Sequence, residues 1–270
     1  RDPASAAESL SFMGWVHRAF DEHLGKPVEM AFVPEELMLY LPAPPPLQIA
    51  APPIAGPPPI VVPGDDTLAD DLVTLWSAHQ RGDQTREAVL TQFHPPAARR
   101  LQLLEILSIE TGWVRRAEND AIRPVATAIL EWLHADPWAQ WSVLAQAWTT
   151  SEAYNDVTFV PSLTPDPVNQ WPNEPQRTRQ TFLAAIKRCD PDAWYDISAF
   201  VQYVKETATD FLRPDGNYDA WAPRDATLAN PLRGYDAWEA VEGALITDML
   251  CGTMAWLGLV DLGQETPDAS

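Results

Sequence analysis

The chain predicts a mainly α protein of the α+β class, its helices accompanied by small antiparallel β-wings. Three observations carry that expectation. Apolar helical runs end on Gly followed by two strand-forming residues at Gly14-Trp15-Val16, Gly112-Trp113-Val114 and Gly258-Leu259-Val260. Gly reaches the left-handed conformation that ends a helix with no Cβ penalty, and bulky or β-branched residues suit the strand that follows. Between these points apolar residues recur at helical spacing behind Pro, Asp and Thr start signals. The apolar fraction of 46% is enough for real cores in 270 residues. A helix stopped by Gly and answered at once by a strand is how a winged helix joins its third helix to its wing. The three instances therefore predict tandem winged-helix units, the first and last incomplete.

The first unit is expected over residues 1–41. Ser5 can cap a short helix to Met13, and residues 15–20 and 28–33 alternate as two strands. The loop between them, 21–26, carries Gly25 where a hairpin wants a positive φ. Pro34 with Glu35 and Glu36 opens a helix of Leu37, Met38, Tyr40 and Leu41, its acids at the positive helix end. Residues 42–64 are Pro-rich, and proline both fixes φ and removes the amide donor. They read as a semi-rigid linker whose Ile60-Val61-Val62 lies on a neighbouring domain, or as a docking site for an aromatic-grooved partner.

A complete unit is expected over 65–161. Asp66 or Thr67 caps a helix with Leu68, Leu72, Leu75 and Trp76 at helical spacing. Asp83 or Thr85 starts a short helix to Phe93. Pro95-Pro96 opens a third, with Leu101, Leu104, Ile106, Leu107 and Ile109 inward, that stops at Gly112. Residues 113–117 and 121–123 form the wing around Glu118-Asn119-Asp120, and Pro124 starts a helix with Val125, Ile129, Trp132 and Leu133. From Pro137 a further helix sets Trp138, Trp141, Leu144 and Trp148 along one face, read as core or domain-interface packing. The last unit, 162–270, follows a loop-like stretch over 155–174. Its helices are expected over 177–188, 197–207 and 235–257, with a polar, turn-rich insertion over 213–221. Its wing keeps at most a first strand at Leu259-Val260-Asp261-Leu262.

Lys plus Arg number 18 against 38 for Asp plus Glu, a formal charge of −20. Contacts from Lys and Arg to phosphate supply most nucleic-acid affinity, so this balance opposes strong DNA binding. It reads as a solvated acidic surface. No run approaches the roughly 20 apolar residues of a membrane-spanning helix. Cys189 and Cys251 have no close partner, and with no signal-peptide pattern they read as small buried residues of a cytoplasmic protein.

Few residues suggest chemistry. Asp215, Asn217 and Asp219 match the first spacings of a calcium loop, but Ala220 and Ala226 stand where it needs Gly and a bidentate acid. An Asx-type turn is the expectation there. His17, Asp21 and His23 read as surface, and Asp21-Glu22-His23 lacks the Gly-rich phosphate loop of a motor. No metal, cofactor or catalytic residue is assigned. Asp196 and Asp236, beside aromatics, would suit the carboxylate cleft of an acidic all-helical enzyme. Each also stands where a helix start wants an acid. The candidate nucleic-acid contacts are Arg99 and Arg100, opening the third helix of the middle unit, and Arg115, Arg116 and Arg123 on its wing. The last helix offers Glu239, Glu242 and Asp248 with no base.

Pro34-Glu35-Glu36-Leu37 ahead of the Pro-rich stretch, Pro137-Trp138-Ala139-Gln140-Trp141, and Phe211-Leu212-Arg213-Pro214-Asp215-Gly216 belong to one set. Ala240-Val241-Glu242-Gly243-Ala244, leading to Trp256-Leu257-Gly258-Leu259-Val260-Asp261-Leu262-Gly263, completes it. Together they resemble a group of large bacterial proteins with an XPB-type helicase N-terminal domain or a helicase-associated winged-helix region. That resemblance implies tandem winged-helix units beside a motor, without catalytic residues of their own, and a chain that is the middle portion of a longer protein. The functional expectation is a non-catalytic module for protein interaction or domain organisation in a DNA-handling protein. Its partner would be another protein or the further domains of a longer chain, with no cofactor and no membrane. A weak DNA-binding winged-helix protein and the acidic enzyme are the alternatives.

Overall fold

The structure, a computed structural model, describes residues 10–23, 26–34, 37, 51–64, 66–82, 85–117, 121–213 and 216–266. Gly14, Gly112 and Gly258 all take the left-handed conformation the sequence asks of them, with φ of 76°, 75° and 64°. Each amide donates back to the carbonyl three residues earlier, on Ser11, Ile109 and Ala255. Trp15 and Leu259 add the bonds to Leu10 and Met254 that complete a Schellman end. A strand follows each time. After Gly14, β1 (His17–His23) pairs antiparallel with β2 (Lys26–Phe32). Their ladder runs to His23↔Lys26, so the loop expected over 21–26 is mostly strand. Of the helix expected from Ser5 to Met13 the described part, from Leu10, is helical over 10–12; the one expected over 35–41 lies outside the described residues, apart from Leu37.

The middle part follows the predicted order. Helices α1 (Leu68–Arg81), α2 (Arg86–Leu90) and α3 (Ala97–Glu110) precede a hairpin of β4 (Val114–Arg116) and β5 (Ile122–Pro124). Helices α4 (Ala126–His134) and α5 (Pro137–Thr150) come next. Leu68, Leu72, Leu75 and Trp76 of α1 meet Leu101, Leu103, Leu104 and Leu107 of α3 in the core. Trp76, Trp113 and Trp132 close on one another edge to face, with ring centroids 5.3, 5.5 and 5.5 Å apart. That geometry matches the aromatic quadrupole. Thr85 caps α2 as expected, accepting from the Ala88 amide. Thr67 makes no such bond at α1; its hydroxyl is taken by Arg100 instead.

Leu144 and Trp148 of α5 are fully buried, but Trp138 is 82% exposed and is no core residue. At 3.6 residues per turn it stands about 120° around the helix from Leu144. Ile109, expected inward, is also exposed.

Helices α6 (Pro175–Ile186) and α7 (Ile197–Thr207) lead to a last helix over 238–256. This one is not uniform: α8 (Ala244–Met249) is flanked by π turns at Glu239–Gly243 and Leu250–Met254. Such turns are rare and widen the helix locally. Short strands β6 (Leu163–Thr164) and β7 (Arg224–Asp225) pair with each other. In the turn-rich insertion over 213–221, Asn217 and Asp219 are exposed as a polar segment would be, but Arg213, Tyr218 and Trp221 are buried.

The described part of the Pro-rich stretch, 51–64, lies on the rest of the chain, Ile60-Val61-Val62 among it as expected. Ala51 is buried, the Ile54 amide donates to the Trp194 carbonyl at 2.8 Å, and Pro53 bridges to Tyr195. Strand β3 (Ile60–Val62) then pairs antiparallel with β8 (Leu262–Gln264), from Ile60↔Gln264 to Val62↔Leu262. The Gly64 amide donates to Asp261 Oδ1 at 2.7 Å. Proline lacks a donor, but Ile60, Val61 and Val62 between the prolines keep theirs, and they are the residues that pair. The last helix–Gly–strand thus borrows its second strand from about 200 residues upstream, as the register requires. The described residues are about half helical, with small two-stranded antiparallel sheets, and none of their helices is long and apolar enough to cross a membrane.

Candidate functional site

The acids of the last helix, read from sequence as a run of one sign, each have a cation. Arg99 forks onto Asp248, Nη1 to Oδ1 at 2.8 Å and Nη2 to Oδ2 at 2.6 Å. Its guanidinium lies 5.1 Å from the Trp256 ring centroid and 5.5 Å from that of Phe159. Lys205 of α7 donates to Glu239 Oε1 at 2.9 Å, and that bond raises the lysine pKa. Arg213 Nε lies 2.7 Å from Glu242 Oε1, both side chains buried. The approach is off-axis, so it is a close ion pair without a hydrogen bond. Arg213 instead donates Nη1 to the Tyr218 carbonyl at 2.8 Å and lies over the Trp221 ring at 4.7 Å. Burial pushes Glu242 up to about 7 against the pull of Arg213, and burial likewise raises Asp248 against Arg99.

The predicted DNA contacts are redistributed by these pairs. Arg100 is 0% exposed. Its Nε donates to Asp71 Oδ2 at 2.5 Å and its Nη2 to Thr67 Oγ1 at 2.8 Å, while Asp71 also takes the His94 amide at 3.0 Å. Both arginines at the start of α3 are thus held by carboxylates, Arg100 buried against α1 and Arg99, still partly exposed, forked onto the last helix. Arg115 and Arg123 are both exposed and stand directly opposite each other in the β4–β5 ladder. Arg116, opposite Ile122, takes the other face.

Sequence reasoning missed a third buried pair. Arg179 of α6 donates Nη1 to Asp156 Oδ2 at 2.6 Å and to the Tyr154 carbonyl at 2.7 Å, and Nη2 to the Ser151 carbonyl. Trp148 Nε1 completes the carboxylate at 3.0 Å. Burial raises the Asp156 pKa, and Arg179 opposes that rise. Nothing in the pattern of α6 distinguishes Arg179 from a surface arginine.

Asp196 caps α7 as predicted, accepting from the Ala199 amide at 2.8 Å. Asp236 lies inside the short 3₁₀ turn Tyr235–Ala237, which has no side-chain cap. Asn217 Oδ1 accepts from the Asp219 amide at 3.3 Å, the Asx geometry expected there; Asp215 lies outside the described residues. Among the described residues no three His, Cys, Asp or Glu side chains gather where they could hold a metal. Cys189 is half-buried and Cys251 exposed, contrary to the expectation that both are buried.

Two hollows remain. A groove of about 550 Å³ runs along the last helix, between Ile197 and Val201 on one side and Pro161 on the other, past Asp248 and Cys251. A second, of about 340 Å³, lies among α1, α2, α3 and the wing. Comparison of the chain with protein-family models, with curated proteins and with solved structures finds no match.

Proposed function

We propose that the chain is a non-catalytic module of winged-helix type that organises domains or protein contacts within a DNA-handling protein. The Arg99–Asp248 fork carries this reading. In a DNA-reading winged helix the start of the third helix must be free to meet phosphate. Here that start is spent on holding the last helix, which makes α3 an internal docking element. The element order from α1 to β5, and the glycine-ended helices at three places, support the winged-helix description.

A second reading, weak DNA contact, is favoured by Arg115 and Arg123. Like charges directly opposite in a ladder are unfavourable by themselves, and an approaching anion relieves them. The two readings separate in a fluorescence-anisotropy titration of the full chain with duplex DNA. The organising role gives affinity weaker than about 10 μM at physiological salt. Submicromolar binding, lost in the Arg115→Glu/Arg116→Glu double variant, would replace it with a DNA reader.

A further inference from the structure

We propose that the hollow among α1, α2, α3 and the wing binds a compact organic monoanion with an aromatic or aliphatic body. This does not depend on whether the unit is a winged helix. The floor is apolar: Leu75 and Ala78 of α1, Val89 of α2 and Leu101 of α3, all buried at their own positions. The rim is polar, with His79, Arg86, Glu105 and Arg123. An apolar floor with a few convergent polar groups is the usual make-up of a small-molecule site, and about 340 Å³ falls at the small end of such sites.

The charges select the ligand. Arg86 is taken by Glu105, Nη1 to Oε1 at 2.6 Å. Burial lowers the His79 pKa from its ordinary 6.5 and Glu105 opposes that, so the imidazole is neutral above pH 7. Arg123 is left as the cation without a carboxylate among the described residues, its guanidinium directed at the C-terminal end of α1 beside Gly82. The partial negative charge of that helix end steadies the arginine but does not neutralise it. One unmatched cation fits one negative charge, and Glu105 on the same rim disfavours a second. A carboxylate or sulfonate on Arg123 would place a ring or branched chain over Leu75, Val89 and Leu101.

The groove along the last helix makes a poorer case, because Glu239 and Asp248 on it already have cations. Nothing on its wall is left for a charged ligand to meet.

Amide NMR shifts of the full chain, titrated with naphthalene-2-sulfonate at pH 7.5, test the site. The neutral analogue naphthalene-2-methanol and sodium sulfate run alongside. Saturable shifts confined to the surroundings of Gly82, Val89 and Ala121 are expected, with at least tenfold weaker binding of both comparators. Arg123→Glu should lose at least tenfold in affinity for the sulfonate with the melting temperature lowered by no more than about 4 °C, since the side chain is exposed and its contact with the helix end is weak. Arg177→Glu, an equal charge change on α6, should leave it unaltered. Ala78→Leu should fill the floor and abolish binding; if that variant does not fold, the Arg123 and Arg177 pair decides. Equal affinity for the neutral analogue, shifts scattered over the surface, or an Arg123→Glu variant that binds as before would overturn the proposal.

Discussion

Glu242 is the residue at which burial and charge are most evenly matched. Its folded-state pKa of about 7 stands above the ordinary 4.5, because burial outweighs the pull of Arg213. Between those two pH values the folded chain still holds a proton that the unfolded chain has released. The associated stability is present below the lower value and is lost as pH rises through the upper one. Burial raises Asp156 and Asp248 in the same sense. Chemical denaturation should therefore find the chain less stable at about pH 8 than at about pH 5. Glu242→Gln should remove on the order of 3 kcal/mol of that difference. A pH dependence identical in the variant would mean that the carboxyl is solvated. None of this was legible in the sequence, where Arg213 belongs to a Pro-Asp-Gly turn and Glu242 to an acidic helix face. Burial of a charged pair is set by where two distant segments meet, not by the pattern around either one.

At the scale of elements, what is local could be read and what is remote could not. Gly112 and Gly258 announce their helix ends because a left-handed cap is a property of a few adjacent residues. Helix α7 was legible to the residue for the same reason, with Asp196 ahead of an amphipathic run. The β3–β8 ladder was not, since its two strands lie at opposite ends of the chain and neither carries a turn signal toward the other. The π turns left no mark in composition either. The two kinds of glycine separate these effects experimentally. A Cβ on Gly112 would meet nothing within 4 Å, so Gly112→Ala costs only its backbone conformation, about 1–2 kcal/mol. A Cβ on Gly64 would come 2.8 Å from the Gly258 backbone. Gly64→Ala should then cost about 1–3 kcal/mol through displacement of the strand. Asn, which tolerates the left-handed region, should recover part of the loss at Gly112 and none at Gly64. Equal rescue at both, in thermal melts, would show that Gly64 is not held by contact.

Across the whole molecule the last helix is the hub. Its acids draw in α3, α7 and the 213–221 segment through Arg99, Lys205 and Arg213, and its strand β8 draws in the Pro-rich stretch. The acidity that seemed only to solubilise the chain is, on this helix, matched cation by cation. The Pro-rich stretch should accordingly stabilise what it covers. A chain beginning at Asp66 is expected to lose about 3 kcal/mol, roughly 6–12 °C in melting temperature for a unit of this size. A synthetic peptide of residues 51–64 added in trans should restore part of it, in proportion to its binding. An unchanged melt would show that the ladder is ornamental.

The register of that ladder also sets how the protein bears load. Ile60 pairs with Gln264, so a pull applied through Pro59 and Glu265 arrives at the same end of the two strands. Tension then falls on one rung at a time, the way a zip opens, instead of on all rungs together as in sliding. A clasp of this kind is firm at rest and yields to modest force, releasing the 51–64 segment before any helix of the core is disturbed.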